Sequence, residues 1–167
     1  MLGRNSTDLI TVKDVPADKF IAAFAEHLKK TQKIKPIKGA DHIKTGHFKQ
    51  MSPYSDDWFY TRAAAIARVV YIRPEIGIST LRHVFGGRKN NGNAKYSHAL
   101  ASGKVLRFAL QQLEAANVIM RLSDKRNKHF DSLPDKEGKL LPRIVTPEGQ
   151  KELNEIAKQV FAKLYSS

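Results

Sequence analysis

The amino-acid sequence predicts a mainly α-helical fold, in which helices form a bundle around one central helix and a two-stranded β-hairpin accompanies them. Three observations lead to this prediction. Apolar residues recur with helical spacing in five segments of the chain. One of these segments, residues 55–74, is apolar over most of its circumference. Near the C-terminus, two short runs of strand-forming residues flank a polar stretch, as the strands of a hairpin do.

The central amphipathic helix is predicted between Ser55, a good N-cap residue, and Pro74, which gives the stop signal. At 100° per residue, its apolar side chains cover a very broad arc. A helix with so few polar positions must be buried by neighbours on several sides. The predicted structural core therefore consists of Trp58, Phe59, Arg62, Ile66 and Val70.

Two arginines interrupt the apolar pattern of this helix. Arg62 falls inside the apolar arc, whereas Arg68 falls with Thr61 and Tyr71 on the opposite, polar side. A guanidinium group is almost never fully buried without a partner. We therefore expect Arg62 to meet a carboxylate, a set of carbonyl oxygens or an external anion.

The N-terminal third predicts one helix and a long connection. A lead of residues 1–13 has no pattern and is expected to be loosely ordered. The first helix begins at Pro16, a favoured first position, and ends with Lys30 at the negative end of the helix dipole. Residues 33–54 mix lysines with isoleucine and proline, which favours an extended connection with a short helix near residues 41–49. Without a linker or repeat, all 167 residues are expected to form one domain.

The rest of the chain predicts three helices, a loop and a hairpin. A helix, a connection, a second helix with a basic outer side and a hairpin follow the plan of winged helix-turn-helix modules. The predicted fold is therefore winged-helix-like. In chain order, the elements are a short helix from Ser79 to Phe85, a basic loop over residues 86–98, a helix from Ser102 to about Ala116, strands Val118–Leu122 and Leu140–Val145 around a polar stretch over 123–139, and a final helix from Thr146.

The net charge of the chain points to a polyanionic partner. There are 29 lysines and arginines against 16 acidic residues, which gives a formal net charge of +13. Residues 76–113 contain no acidic residue. Soluble surfaces usually mix both signs, so this segment favours a nucleic-acid-binding face over a basic surface kept for solubility. The predicted contacts, mostly to phosphates, are Arg68, Arg82, Arg88, Lys89, Asn91, Lys95, Lys104 and Arg107.

Catalytic and metal-binding patterns are missing from the sequence. No cysteine is present, and the six histidines do not follow a zinc spacing, so they are expected to be structural, solvent-facing or RNA-facing. The glycine-rich segment 86–92 lacks the phosphate-binding P-loop pattern. No run of about 18 apolar residues, the length of a membrane span, occurs. We expect no enzyme activity, no cofactor, no metal, no small-molecule substrate and no membrane partner.

Four segments of the sequence resemble one protein family: DDWFYTRAAAIARVVYIRP, LRHVFGGRKNNG, LRFALQQLEAANVI and LPRIVTPEGQKELNEIA. The family is protein nineteen of the small ribosomal subunit in eukaryotes and archaea, and the resemblance extends from about Thr11 to Phe161. It implies a helical bundle around one central helix, residence in the head of the small subunit, contacts to ribosomal RNA and neighbouring ribosomal proteins, and a role in pre-ribosomal RNA processing. It also implies a cytoplasmic location, with a nuclear or nucleolar assembly stage in a eukaryote.

The resemblance further implies that Arg62, Arg68 and Arg107 occupy functionally sensitive positions, the last two on the basic surface. The chain departs from many relatives in the longer insertion KRNKHFDSLPDKEGKL between the hairpin strands. From the residue pattern alone, two other functions remain open. One is a winged-helix DNA-binding regulator, a class that usually dimerises, although the sequence shows no spare apolar stripe for a dimer interface. The other is a protein-interaction module with an acidic partner.

Overall fold

The computed structural model of the protein describes residues 10–122 and 142–165. Within these ranges the fold is mainly helical and winged-helix-like, with helices around a central helix, and both the fold class and the C-terminal hairpin are confirmed. The elements are α1 Ala17–Thr31, a 3₁₀ turn Ala40–His42, α2 Trp58–Ile72, α3 Ile78–Val84, β1 Gly87–Asn91, β2 Ala94–Ala99, α4 Gly103–Ala115, β3 Ile119–Arg121, β4 Arg143–Val145 and α5 Pro147–Tyr165.

Helix α2 lies at the centre of the molecule and contacts α1, α4 and β4. It begins at Trp58, three residues after the predicted N-cap, and the carbonyl of Ser55 accepts the Trp58 N–H. It ends before Arg73, which takes a non-helical conformation because the residue before a proline is pushed out of the α region. Buried residues from all five helices form one hydrophobic cluster around α2.

Helix α1 packs against α2, and its Phe20, Phe24 and Leu28 are fully buried. Residues 1–9 of the predicted loose lead lie outside the described ranges. The expectation is wrong for residues 10–13, because Val12 is fully buried in the core. In the sequence, Val12 is a single apolar residue between polar neighbours, so no periodic pattern marks it as a core residue.

The connection between α1 and α2 contains one 3₁₀ turn rather than a helix over 41–49. It is attached to the body at its start, where the Lys35 N–H donates to the Gln112 side chain at 3.0 Å. Near its middle, Gly46 forms an antiparallel bridge with Ala101, and the Ser102 N–H donates to the Thr45 carbonyl. The long connection therefore crosses the body beside the start of α4.

The predicted basic loop over residues 86–98 is a β-hairpin, so the loop prediction was wrong. Strands β1 and β2 pair antiparallel, with Arg88 opposite His98 and Lys89 opposite Ser97, and the register shifts between Lys89 and Asn91. Gly92, at φ 70°, begins the two-residue turn, a position where glycine is favoured. The sequence pattern did not predict these strands, because most of their residues are exposed and neither strand shows an apolar alternation.

The second hairpin, β3–β4, is the one that the sequence predicted. Ile119 pairs with Val145 and Met120 pairs with Ile144. Each strand has three described residues, and the polar stretch over 123–139 lies outside the described ranges. Arg143 in β4 is buried, and its Nε donates to Glu114 Oε1 at 3.0 Å. Sequence reasoning missed this ion pair because it depends on how α4 meets β4.

Helix α5 closes the bundle on the side of α1. Its N-cap is Thr146, whose hydroxyl accepts the Gly149 N–H at 2.9 Å, as predicted for a start at this threonine. Glu152 connects the two helices, since one carboxylate oxygen lies 2.7 Å from His27 Nε2 and 2.8 Å from Lys33 Nζ. Gly149 lies directly against the Val118 backbone, where a side chain would collide with the carbonyl.

Candidate nucleic-acid interface

The acid-free segment 76–113 builds α3, the β1–β2 hairpin and most of α4. Of the predicted contact residues, Arg88, Asn91, Lys95, Lys104 and Arg107 are exposed, while Arg68, Arg82 and Lys89 are partly buried. Within residues 10–122 and 142–165, none of these eight side chains forms an ion pair with a carboxylate. The positive charges of the seven lysines and arginines among them are therefore available to an anionic partner.

One face of the β1–β2 hairpin carries a row of flat side chains, here called the planar strip: Tyr96, Arg88 and His98, extended by His83 of α3. The Arg88 guanidinium lies 3.5 Å from the centre of the Tyr96 ring. Arg88 and His98 are directly opposite each other in the ladder and so share a face. The His98 ring is parallel to that of His83, with centroids 6.0 Å apart and a 5° angle between planes.

The base of the hairpin is fixed to the helical body by close contacts. The Phe48 ring lies against both Gly46 and Gly87, and a side chain at either glycine would collide with it. A side chain at Gly86 would come within 2.6 Å of the Ala99 carbonyl oxygen. The adjacent Ala101 N–H donates to the Arg82 carbonyl at 3.0 Å. These contacts hold the hairpin in one orientation.

Two of the predicted arginines meet at the first residue of α4. Nη1 of Arg107 lies 3.1 Å, and Nε of Arg82 lies 3.6 Å, from the position that a Cβ on Gly103 would occupy. Arg82 Nε also donates to the Ala101 carbonyl at 3.2 Å, which holds that side chain in place. The first turn of a helix carries partly positive N–H groups, so both guanidinium groups add to an electropositive helix end.

Asn91 and Lys89 are less available than the sequence suggested. The Asn91 side chain donates to the Lys95 carbonyl at 3.0 Å and to the Ser97 hydroxyl at 3.2 Å, so it stabilises the hairpin end. Lys89 is partly buried, on the face opposite to that of Arg88 as β-strand alternation requires. Lys95 remains exposed beside the turn.

The structure places Trp58, Phe59, Ile66 and Val70 of the predicted core set in the central cluster, but Arg62 lies at its edge. Arg62 stacks its guanidinium on the Phe85 ring, 4.8 Å from the ring centre, and lines an open cavity of about 630 Å³. Burial lowers the pKa of Arg62. None of the described residues gives it a hydrogen bond or an ion pair. An aromatic face thus takes the place of the carboxylate or carbonyl oxygens that we expected.

Arg68 is not on the face opposite Arg62. Thr61 is exposed and Ala65 is partly buried, so the least buried stripe of α2 runs between the two arginines. Arg68 is itself partly buried, and its Nε is shielded from solvent without a hydrogen-bond partner among the described residues. Tyr71 faces elsewhere and donates to the Asn154 side chain at 2.9 Å. The assignment to opposite faces was wrong because six residues of an α-helix separate the two arginines by only about 120° around its axis.

Sequence reasoning missed that Tyr96 and His98 share a hairpin face with Arg88 and that His83 stacks beside His98. A usable signal was present: Gly92-Asn93 is a two-residue turn dipeptide, and the spacing of Tyr96 and His98 places both on one face of a strand. Within the described ranges, no group of three histidines, cysteines or acidic residues is arranged to hold a metal ion. The helices of these ranges also include none long and apolar enough to cross a membrane.

Comparison with known proteins places this chain among ribosomal proteins. The family model described as ribosomal protein S19e matches residues 11–163. Among similar curated proteins, small ribosomal subunit protein eS19 of Entamoeba histolytica is 39% identical over 150 residues, covering 90% of this chain and 86% of that protein. The eS19 protein of Argopecten irradians is 40% identical over 157 residues, covering 94% of this chain and 98% of that protein.

A third relative, eS19 of Oryza sativa subsp. japonica, is 35% identical over 150 residues, covering 90% of this chain and 92% of that protein. The match agrees in extent with the resemblance seen from Thr11 to Phe161, and it confirms that resemblance. The family consists of structural proteins rather than enzymes. The fold, the basic face and these three relatives lead to one conclusion: the chain belongs to the ribosomal protein S19e family.

Proposed function

We propose that the protein is a structural constituent of the small ribosomal subunit, that it binds ribosomal RNA in the subunit head, and that it is needed for pre-ribosomal RNA processing and small-subunit maturation. The names of its relatives, small ribosomal subunit protein eS19, support the ribosomal role. The observation that carries the RNA-binding part is the acid-free segment 76–113, whose exposed cations have no carboxylate partner in the described ranges.

Phosphate contacts supply most of the binding in this proposal. Folded RNA is recognised largely by its shape and backbone, and each phosphate contact releases counterions and so strengthens binding at low salt. The start of α4 suits a phosphate group, because Arg82 and Arg107 flank Gly103 beside the N–H groups of the first turn. Arg88, Lys95 and Lys104 add further exposed cations from the same acid-free segment.

The partners are small-subunit ribosomal RNA and neighbouring ribosomal proteins, and the protein works in cytoplasmic ribosomes after a nuclear or nucleolar assembly stage if the source is eukaryotic. A DNA-binding regulator fits less well. In a winged helix-turn-helix regulator, a short turn precedes the recognition helix, and that helix enters the major groove. Here the β1–β2 hairpin stands between α3 and α4, next to the start of the helix that would read the bases.

A double substitution in the hairpin tests the RNA-binding proposal. Arg88→Ala with Lys89→Ala removes two charges, so the slope of log affinity for small-subunit RNA against log salt concentration should become shallower by roughly 1–2 units. The slope is measured by titrating a labelled RNA fragment at several KCl concentrations. The matched control is Lys151→Ala with Lys163→Ala on α5, which removes the same charge from exposed positions outside segment 76–113 and should change the slope less.

The same variants test the role in maturation. The hairpin variant should sediment poorly with small subunits in sucrose gradients, and cells that depend on it should accumulate small-subunit RNA precursors. Both variants should melt close to the parent temperature, because charges at or near the surface contribute little to folding. An unchanged salt slope together with normal incorporation would remove the hairpin from the RNA-binding face.

A further inference from the structure

Packing in the core does not explain why a tyrosine ring lies on the hairpin at position 96. Tyr96 is 48% exposed and does not belong to the hydrophobic cluster. In the described part of the chain, its one ring contact is with the Arg88 guanidinium at 3.5 Å. Such a contact at an exposed site contributes only about 0.5–1 kcal/mol, so the core does not depend on this ring.

Phosphate binding does not explain the ring either. A phosphate accepts from charged groups, N–H groups or hydroxyls, the Tyr96 hydroxyl included, but none of these contacts uses the face of an aromatic ring. Tyr96 places such a face in the middle of a strongly basic segment. Arg88 lies over one face of the ring, while nearly half of the residue stays open to solvent. A flat aromatic surface beside cations is the arrangement by which proteins bind unpaired bases, because every base has a π-face that can stack on it.

We propose that the Tyr96–Arg88 stack binds an unpaired nucleobase of ribosomal RNA, with the base stacked on the part of the Tyr96 ring that Arg88 leaves open. This inference rests on the proposed RNA-binding function and specifies its substrate: a bulged or single-stranded nucleotide next to a helix, rather than a continuous duplex. Bases inside a duplex are already stacked on both faces and cannot reach the ring. Arg88 then orients the ring and keeps its charge for a neighbouring phosphate.

The surrounding contacts favour stacking over base-specific hydrogen bonding. Beside the stack, His98 shares the strand face of Arg88, and its ring is parallel to that of His83. Asn91, which could read a base edge, already uses its amide group within the hairpin. The site therefore selects an unpaired nucleotide and is tolerant of its identity.

The test compares two RNA probes and two substitutions. The probes are a fully paired duplex and the same duplex with one bulged 2-aminopurine, whose fluorescence changes when it stacks. The parent protein should bind the bulged probe more tightly and change its fluorescence. Tyr96→Ala should weaken binding to the bulged probe by roughly 5- to 150-fold, leave the salt slope unchanged and remove the fluorescence change. Tyr96→Phe, the matched control, should behave like the parent.

The outcomes separate this inference from the proposed function. If the parent binds both probes equally with a steep salt dependence, the RNA-binding function stands and the stacking site is wrong. Equal losses on both probes for Tyr96→Ala also overturn the stacking site. If the parent binds neither probe nor any small-subunit RNA fragment, the proposed function fails, and the inference fails with it. Circular-dichroism melting of both variants verifies that each is folded.

Discussion

Two arginine–aromatic stacks in this molecule occupy different environments. Arg62 stacks on Phe85 at the edge of the core, where burial lowers its pKa and a cavity opens beside it. Arg88 stacks on Tyr96 on an exposed hairpin, with a shorter distance of 3.5 Å against 4.8 Å. The arginine–aromatic stack therefore has different consequences in the two places. At the core edge it adds to the packing between helices, whereas on the hairpin it leaves a ring and a charge open to a partner.

The largest expected difference between the two regions concerns an aromatic ring in each. Phe59 is fully buried and packs against Trp58 and Phe108, with ring centroids 5.9 and 5.6 Å away. Phe59→Ala should lower the free energy of unfolding by about 3–5 kcal/mol, because it opens a cavity in the core. Tyr96→Ala should lower it by no more than about 1 kcal/mol. Urea denaturation followed by circular dichroism measures both; comparable losses would show that the hairpin belongs to the folding core.

An intermediate effect is expected at the ion pair between Glu114 of α4 and Arg143 of β4. Glu114 accepts from the buried Arg143 and also from the more exposed Arg121. Glu114→Ala should lower the free energy of unfolding by about 1–3 kcal/mol, because it takes a charged acceptor from a buried donor. Lys29→Ala, which breaks an exposed pair with Asp57, is the control and should lie close to the parent. A Glu114 variant as stable as the Lys29 variant would mean that solvent or another group replaces the carboxylate.

The smallest difference concerns the two stacked arginines themselves. Arg62→Ala should lower the free energy of unfolding by about 1–2 kcal/mol, since a partly desolvated cation–π contact and its packing are lost. Arg88→Ala should lower it by about 0.5 kcal/mol. RNA affinity should show the reverse order, with the larger loss for Arg88→Ala. If Arg62→Ala is as stable as the parent but fails to join small subunits, its guanidinium contacts a partner through the adjoining cavity instead of supporting the core.

The helices could be predicted from the sequence because each one buries a stripe. Helices α2, α4 and α5 lie within a few residues of their predicted positions, and Thr146 caps α5 as expected. Burial imposes an apolar period, and that period is legible in the sequence. The β1–β2 hairpin imposes none, since its strands are exposed on both faces. Its position follows from one turn and from contacts at its base, such as that of Phe48 with Gly87, which join residues far apart in the sequence.

The site could be predicted as a set of charges but not as a geometry. The acid-free segment predicts a set of lysines and arginines that contact a polyanion. The planar strip, in contrast, requires the register that pairs Arg88 with His98 and the shift that follows Lys89. The meeting of Arg82 and Arg107 at Gly103 requires the approach of α3 to α4. The Arg62–Phe85 stack requires the end of α3 to reach α2. These are tertiary arrangements, which local spacing does not encode.

The Phe48 ring, held between Gly46 and Gly87, has a consequence for the thermodynamics of binding. A recognition loop that is disordered before binding must lose conformational entropy when it meets its partner, and this loss lowers the affinity. Here the hairpin loses that entropy during folding instead, because Phe48 contacts both Gly46 and Gly87 and fixes the root of the hairpin to the body before any partner binds. Enlarging Gly87 or truncating Phe48 would transfer the entropy cost from the folding reaction to the encounter with RNA. Calorimetry would then show a less favourable binding entropy, even though every charge on the hairpin remained.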